Sequence, residues 1–321
     1  MKKILIVILC VFIYACHKED LNTYREKENT DQNYTSFRLN LAPPSYRGVY
    51  VDNFHLIVGD TAKENKLLRW CKKYNFNAIS TYDNETVFQN GLNTKLAKFI
   101  KKSKTSTYGI VSVASVRGYY QEFSPNKTTN GVNNYSSVYY NNNRIDTLEK
   151  FNTFNLENEW WNATNEIVAF VDYSKTLKYM YSKAKLANHL PLVKSELYIG
   201  WLTTGYQKYQ VGVLIDNTDR ILVHDYEIQP SFSYLKSRLD TLGSVAKTKN
   251  KIVNVIIIFS AESLPKNNFM GPYYSTHTFQ EPYEDIVNQY YLSTTFTKYG
   301  SNINIIGYQV FTYSIINKIK I

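Results

Sequence analysis

The chain has 321 residues, a formal net charge of +10, 44% hydrophobic and 15% aromatic residues, and three cysteines. That apolar and aromatic content excludes intrinsic disorder, and three cysteines in a chain of this length exclude a disulfide-stapled mini-protein. The length suits one large domain, an α/β barrel of roughly 250 residues among the candidates; the positive charge counts only through its distribution.

Residues 1–15 read as a signal peptide, with Lys2 and Lys3 as the charged start and Ile4 to Ile13 as an apolar run of ten residues. That run is too short to span a bilayer as a helix. It ends in Ile13-Tyr14-Ala15-Cys16, which resembles the bacterial lipobox, with Tyr14 at a position usually held by a small residue. The resemblance implies that Cys16 is lipidated and becomes the mature N-terminus, with more than one acyl chain for stable anchoring. An ordinary cleaved signal that contains a cysteine is the alternative. On the lipobox reading Cys10 is discarded, leaving Cys71 as the only free thiol, inside the helical pattern Lys66–Tyr74. No disulfide framework or thiolate metal site then remains. Loss of Lys2 and Lys3 lowers the charge to +8, 35 basic against 27 acidic residues. Residues 16–46 are polar and aperiodic and read as a tether. The expected location is the bacterial outer membrane, on either its periplasmic or its cell-surface face.

From residue 47 short apolar runs alternate with longer amphipathic ones, the pattern of parallel β/α units. The predicted strands are Gly48–Phe54, Asn77–Tyr82, Tyr108–Ala114, Thr153–Glu159, Leu197–Leu202, Ile221–Tyr226, Ile252–Ser260 and Ile303–Tyr313. The predicted helices are Thr61–Tyr74, Thr94–Lys102, Asn165–Asn188, Ser231–Lys247 and Glu284–Lys298, with a weaker signal around Gly205–Ile215. Residues 117–146 form a Tyr/Asn-rich insertion (Tyr119-Tyr120, Asn133-Asn134-Tyr135, Tyr139-Tyr140-Asn141) that would lie over the barrel mouth. Eight units predict a (β/α)8 TIM-type barrel, an α/β fold in one domain over 47–321, with its site at the C-terminal ends of the strands.

The fourth predicted strand carries the chemistry. Alternation puts Asn155, Glu157 and Glu159 on one face, with Phe154 and Leu156 on the other. Two carboxylates two residues apart in a barrel mouth repel, which favours keeping one protonated, the state a general acid needs. The same spacing fits a pair of exposed acids bridged to Lys or Arg.

Here the sequence resembles the family 18 glycoside hydrolases, the chitinase and endo-β-N-acetylglucosaminidase superfamily, whose fourth-strand motif is D-x-x-D-x-D-x-E. The matching positions are Asn152, Asn155, Glu157 and Glu159; the final Glu is kept, and the three Asp positions carry Asn, Asn and Glu. The family's M-x-Y-D on strand six corresponds to His224-Asp225-Tyr226-Glu227, its strand-eight Trp to Phe311, and its S-x-G-G to Ser112-Val113-Ala114-Ser115. The resemblance implies substrate-assisted retaining hydrolysis of N-acetylglucosamine-containing glycans, an exception to the two-carboxylate scheme. Glu159 would be the acid, with Glu157 and Tyr226 holding the acetamido group. Asn155, Glu227, Phe311, Trp160 and Trp201 would line the substrate. The expected partner is an N-acetylated oligosaccharide or glycoprotein glycan.

A catalytically inactive glycan-binding barrel of a cell-surface uptake complex stays open, as does a scaffold for partner proteins. His55, His189, His224 and His277 are isolated, so no metal is expected. The absence of a Gly-rich phosphate loop and of G-x-S-x-G removes cofactor and serine-hydrolase readings. Lysines occur in scattered pairs (Lys72-Lys73, Lys101-Lys102) without a stripe, which argues for a solvated outer face and against nucleic acid.

Overall fold

The structure is a computed structural model describing residues 42–82, 84–118, 138–186, 193–262 and 270–319. The signal peptide, Cys16, most of the tether and the Tyr119–Tyr135 part of the insertion lie outside the described residues.

The eight apolar runs form strands β1 (Tyr46–Val51), β2 (Ala78–Thr81), β3 (Val111–Gly118), β4 (Thr153–Asn158), β5 (Lys194–Ile199), β6 (Arg220–Asp225), β7 (Val253–Ser260) and β8 (Ile303–Phe311). Each pairs in parallel with the next and β8 returns to β1, closing a (β/α)8 barrel. Helices follow the strands: α1 (Thr61–Lys73), α2 (Asn84–Gln89), α3 (Asn93–Ser103), α4 (Glu166–Leu186), α5 (Gln207–Asp216), α6 (Phe232–Thr248), α7 (Gly271–Thr276), α8 (Glu281–Tyr291), α9 (Thr294–Tyr299) and α10 (Tyr313–Ile319). Asp60 starts α1 by accepting from the N–H groups of Ala62 and Lys63 at 3.0 and 3.1 Å, the N-cap role that suits a short carboxylate.

Several boundaries differ from the sequence reading: strand one ends at Val51 rather than Phe54, strand five runs Lys194–Ile199 rather than Leu197–Leu202, and three further differences have local causes. The predicted helix Glu284–Lys298 is two helices, because Ser293 caps a new one through the Phe296 N–H at 3.2 Å. Strand three starts at Val111 rather than Tyr108, since Gly109 sits in the left-handed region at φ +62° and turns the chain out of α3. Strand eight stops at Phe311, and Tyr313 opens α10.

Period-two alternation sorts the side chains into two cores. Outside the strands, Phe154, Leu156, Ile199, Val223, Phe259 and Val310 are buried beneath the helices. Inside the barrel, Tyr46, Tyr50, Tyr198, Leu222, Ile256 and Ile258 fill the lumen. A polar layer crosses that lumen. Glu196, fully buried, pairs with Arg220 at 2.8 Å, and Arg220 also donates to the Thr153 hydroxyl at 2.7 Å. Its guanidinium lies 5.0 Å over the Tyr46 ring. Between β7 and β8 the register slips at Val255/Ile256, so that Ile305 pairs with Val255 but Gly307 with Ile256. Ile306 is the extra residue, a β-bulge. Cys71 is buried in α1, and burial pushes its thiol up. Among the described residues no helix is long and apolar enough to cross a membrane.

Candidate active site at the barrel mouth

Inward parity brings Glu157 and Glu159 up the inner face of β4 to the C-terminal rim. Glu159 leaves the strand as the residue before a 3-10 turn, Trp160–Asn162, and its Oε2 accepts from the Asn162 amide at 2.7 Å. Its carboxyl reaches solvent, yet the surrounding walls desolvate it enough to raise its pKa, with the Asn162 hydrogen bond partly opposing. Desolvation, not repulsion from Glu157, is the cause. This corrects the expectation drawn from the two-residue spacing.

Tyrosines crowd the same mouth. Burial raises the phenols of Tyr50 and Tyr226, and Glu157 is the leading charge acting on each. Tyr226 also feels Glu262 and Glu159, and its ring stacks at 6.4 Å on Tyr198, to which it is hydrogen-bonded. Phe311 closes the floor, edge-on to Tyr50 at 5.4 Å and to Tyr82 at 6.3 Å. Glu157, Glu159, Tyr226 and Phe311 are thus gathered in one place.

Two predicted contacts, Trp160 and Asn155, are placed otherwise. Trp160 has no exposed surface: the 3-10 turn swings it outward onto Tyr173 at 4.6 Å and Phe170 at 5.2 Å, in the outer core. Its neighbour Trp161 turns inward instead, 5.6 Å from Tyr198. Asn155 lies one layer below the mouth, fully buried and committed to protein. Its Oδ1 accepts from Tyr50 at 3.1 Å and Ser115 at 3.0 Å, and its Nδ2 donates to Glu196 at 3.4 Å. It supports the site from beneath and does not line it. Glu227 is half-buried with a raised pKa from that burial, and its charged neighbours are Arg238 and Asp225. Trp201 stands on the rim, 45% exposed, with the Arg238 guanidinium 4.9 Å from its ring and His224 and Tyr234 against its edges.

The sequence reading missed Glu262 and Asp52. Glu262 follows β7 on the inward parity of Ile256, Ile258 and Ser260. Its pKa is raised by desolvation first, and then by the charges of Asp52 and Glu159. Asp52 follows β1 and accepts from the Ser314 N–H at 3.0 Å and from the hydroxyls of Thr312 and Ser314. The signal for both was the same alternation that identified Glu159. Among the described residues, no group of three or more His, Cys, Asp or Glu side chains could hold a metal ion.

Behind Tyr226, the Tyr198 hydroxyl meets His224 Nδ1 at 3.0 Å, and the Tyr234 hydroxyl meets His224 Nε2 at 3.1 Å. Burial, and then Arg238, hold His224 well below the usual range, so its ring is neutral.

No protein-family model matches the sequence, and no curated protein matches it. Solved structures match at the level of fold. A fungal β-1,4-galactanase is 15% identical over 83% of this chain and 89% of its own, with a TM-score of 0.51. A GH18 chitinase from Pseudoalteromonas aurantia is 13% identical over 84% and 94%, with a TM-score of 0.43. D-psicose 3-epimerase from Clostridium cellulolyticum is 9% identical over 86% and 89%, with a TM-score of 0.45. What the chain shares with the galactanase is the (β/α)8 barrel fold. At these identities fold is shared and chemistry must come from the site.

Proposed function

We propose that the protein is a glycoside hydrolase in which Glu159 is the general acid. The observation that carries this reading is a solvent-reaching carboxyl with a raised pKa, set at the mouth of a closed barrel among tyrosines and further acids. Such a group holds its proton nearer neutrality and can deliver it to a leaving oxygen. On the resemblance to family 18, the substrate is an N-acetylglucosamine-containing glycan. Its acetamido oxygen attacks C1 while Glu159 protonates the glycosidic oxygen, and Glu157 and Tyr226 hold the acetamide. Lipidation at Cys16 would anchor the enzyme in the outer membrane, facing the periplasm or the cell surface.

A second reading is favoured by Glu262. It puts another desolvated carboxyl at the mouth, near enough to Glu159 for their charges to interact. Glu262 could then act as base or nucleophile from the protein side, and the sugar would need no acetamido group.

The test is hydrolysis of matched glycans with and without 2-acetamido groups by wild type, Glu159→Gln, Glu157→Gln and Glu262→Gln. Hydrolysis lost by a factor of about 10² to 10⁴ in Glu159→Gln supports the acid role. Dependence on the acetamido group and on Glu157 supports the first reading; dependence on Glu262 without need of that group supports the second. Wild-type protein that binds a glycan but releases no sugar is a glycan-binding barrel of an uptake complex, and the enzyme reading fails.

A further inference from the structure

The residues behind Tyr226 form a hydrogen-bonded chain with a sense of direction. A neutral imidazole has one donor and one acceptor nitrogen, and both nitrogens of His224 meet tyrosine hydroxyls. Each hydroxyl has a single proton. Once one proton in the row Tyr234, His224, Tyr198, Tyr226 is assigned, the others follow.

Two observations choose the direction. At one end Tyr226 faces Glu157, Glu262 and Glu159. An ionised carboxylate accepts and never donates, so the field of Glu157, the leading charge on Tyr226, draws the phenol proton into the mouth even while Glu159 holds its own, and leaves the Tyr226 oxygen to accept from Tyr198. At the other end the Arg238 guanidinium lies 4.6 Å over the Tyr234 ring. That cation, which also acts on His224, disfavours a further proton on Nε2, the nitrogen that meets the Tyr234 hydroxyl.

We propose that His224 is a positioning residue: as the Nδ1–H tautomer it donates to Tyr198 and accepts from Tyr234, so that the Tyr226 hydroxyl proton points into the barrel mouth. A substrate oxygen there would meet a donor already oriented, and no reorganisation of the phenol would accompany binding. His224 touches no substrate in this role. Its ring also packs 4.7 Å from Tyr226 and 5.6 Å from Trp201, so the same side chain holds the inner wall and the rim platform.

The tautomer is directly measurable. Two-bond ¹⁵N–¹H correlation spectra of histidine-labelled protein, with Tyr234→Phe and Tyr198→Phe to assign the signals, should give the Nδ1–H pattern for His224 throughout pH 5.5–8. An Nε2–H pattern, or an imidazolium in that range, overturns the proposal whether or not the protein is an enzyme. The kinetic arm rests on the glycosidase reading. His224→Phe, which fills the space without hydrogen bonds, should lower kcat on the order of tenfold with little change in KM, the scale of one lost hydrogen bond. His224→Asn, whose amide can donate from near the Nδ1 position, should recover most of that loss. Unchanged kcat in folded His224→Phe overturns the role. If wild type hydrolyses nothing, the glycosidase reading fails alone and the tautomer result still decides this one.

Discussion

Arg220→Met tests whether the polar layer inside the barrel is held by the Glu196–Arg220 pair. Glu196 is fully buried and its remaining partner is the Asn155 amide at 3.4 Å, so removing the guanidinium leaves a carboxylate with one weak donor. Stranding a buried charge costs about 3–5 kcal/mol. The carboxyl can escape by taking a proton, which caps that cost at about 1.4 kcal/mol for each pH unit between its wild-type pKa and the pH of the assay. Glu196 already titrates above the usual carboxylate range because burial outweighs Arg220. Its contribution to stability is therefore full at low pH and falls as pH rises, and without Arg220 the fall extends further upward. Loss of the Thr153 hydrogen bond and the Tyr46 ring contact adds about 1–2 kcal/mol that does not vary with pH. Urea unfolding at pH 5, 6, 7 and 8 measures both parts, provided the m-value is unchanged. The destabilisation should be smallest at pH 5 and grow toward pH 8. Glu196→Gln combined with Arg220→Met should abolish that growth. A cost that is the same at every pH would show that Glu196 does not depend on Arg220 for its charge.

Other outcomes follow from single residues. Trp160→Ala should cost about 3–5 kcal/mol, as expected for a large aromatic side chain removed from the core, whereas Trp201→Ala should change stability by roughly 1 kcal/mol or less and weaken glycan binding in a titration. Asp225 is buried and pushed up to about 7 by desolvation, with the Ser231 N–H and Arg238 opposing. Its contribution is full below about pH 4 and is lost as pH climbs to about 7, on the order of 4 kcal/mol in all. Asp225→Asn should flatten that part of the pH–stability curve in chemical unfolding. Hydrolysis by wild type should decline as pH rises through the raised pKa of Glu159, and the declining limb should disappear from the residual activity of Glu159→Gln. Cys16→Ala should abolish incorporation of labelled fatty acid in cells; continued labelling would overturn the lipobox reading.

The barrel was legible because each buried parallel strand is a short apolar run between amphipathic segments, and eight such runs survive errors of a few residues at their ends. Strand three, displaced by Gly109, shows how a turn glycine next to an apolar stretch blurs a boundary. Glu159 was legible from parity alone. Trp160 was not, because parity ends where the strand does, and a 3-10 turn decides which of two adjacent tryptophans faces the mouth. Asn155 was placed on the correct face but at the wrong depth, since alternation gives direction and not height along the barrel axis. Glu262 was hidden because strand seven does end at Ser260, and its inward parity has to be carried two residues past that end to reach the rim. The hydrogen-bond chain through His224 joins β5, β6 and α6, and no local pattern in the sequence ties those three segments together.

The extra residue in β8 works as a phase shifter. Below it Ile303 and Ile305 face the helices; above it Tyr308 and Val310 do, because Ile306 and Gly307 occupy the place of one residue opposite β7. Gly307 can be there because it has no side chain: a Cβ would fall 1.8 Å from the Tyr46 carbonyl oxygen. Deleting either residue would invert everything downstream. Gln309 and Phe311 would turn toward the helices, and Tyr308 and Val310 would enter the lumen. The floor of the mouth is therefore set by chain length at a point four residues from Phe311, and in any relative of this chain a one-residue gap there predicts a differently furnished pocket on an unchanged barrel.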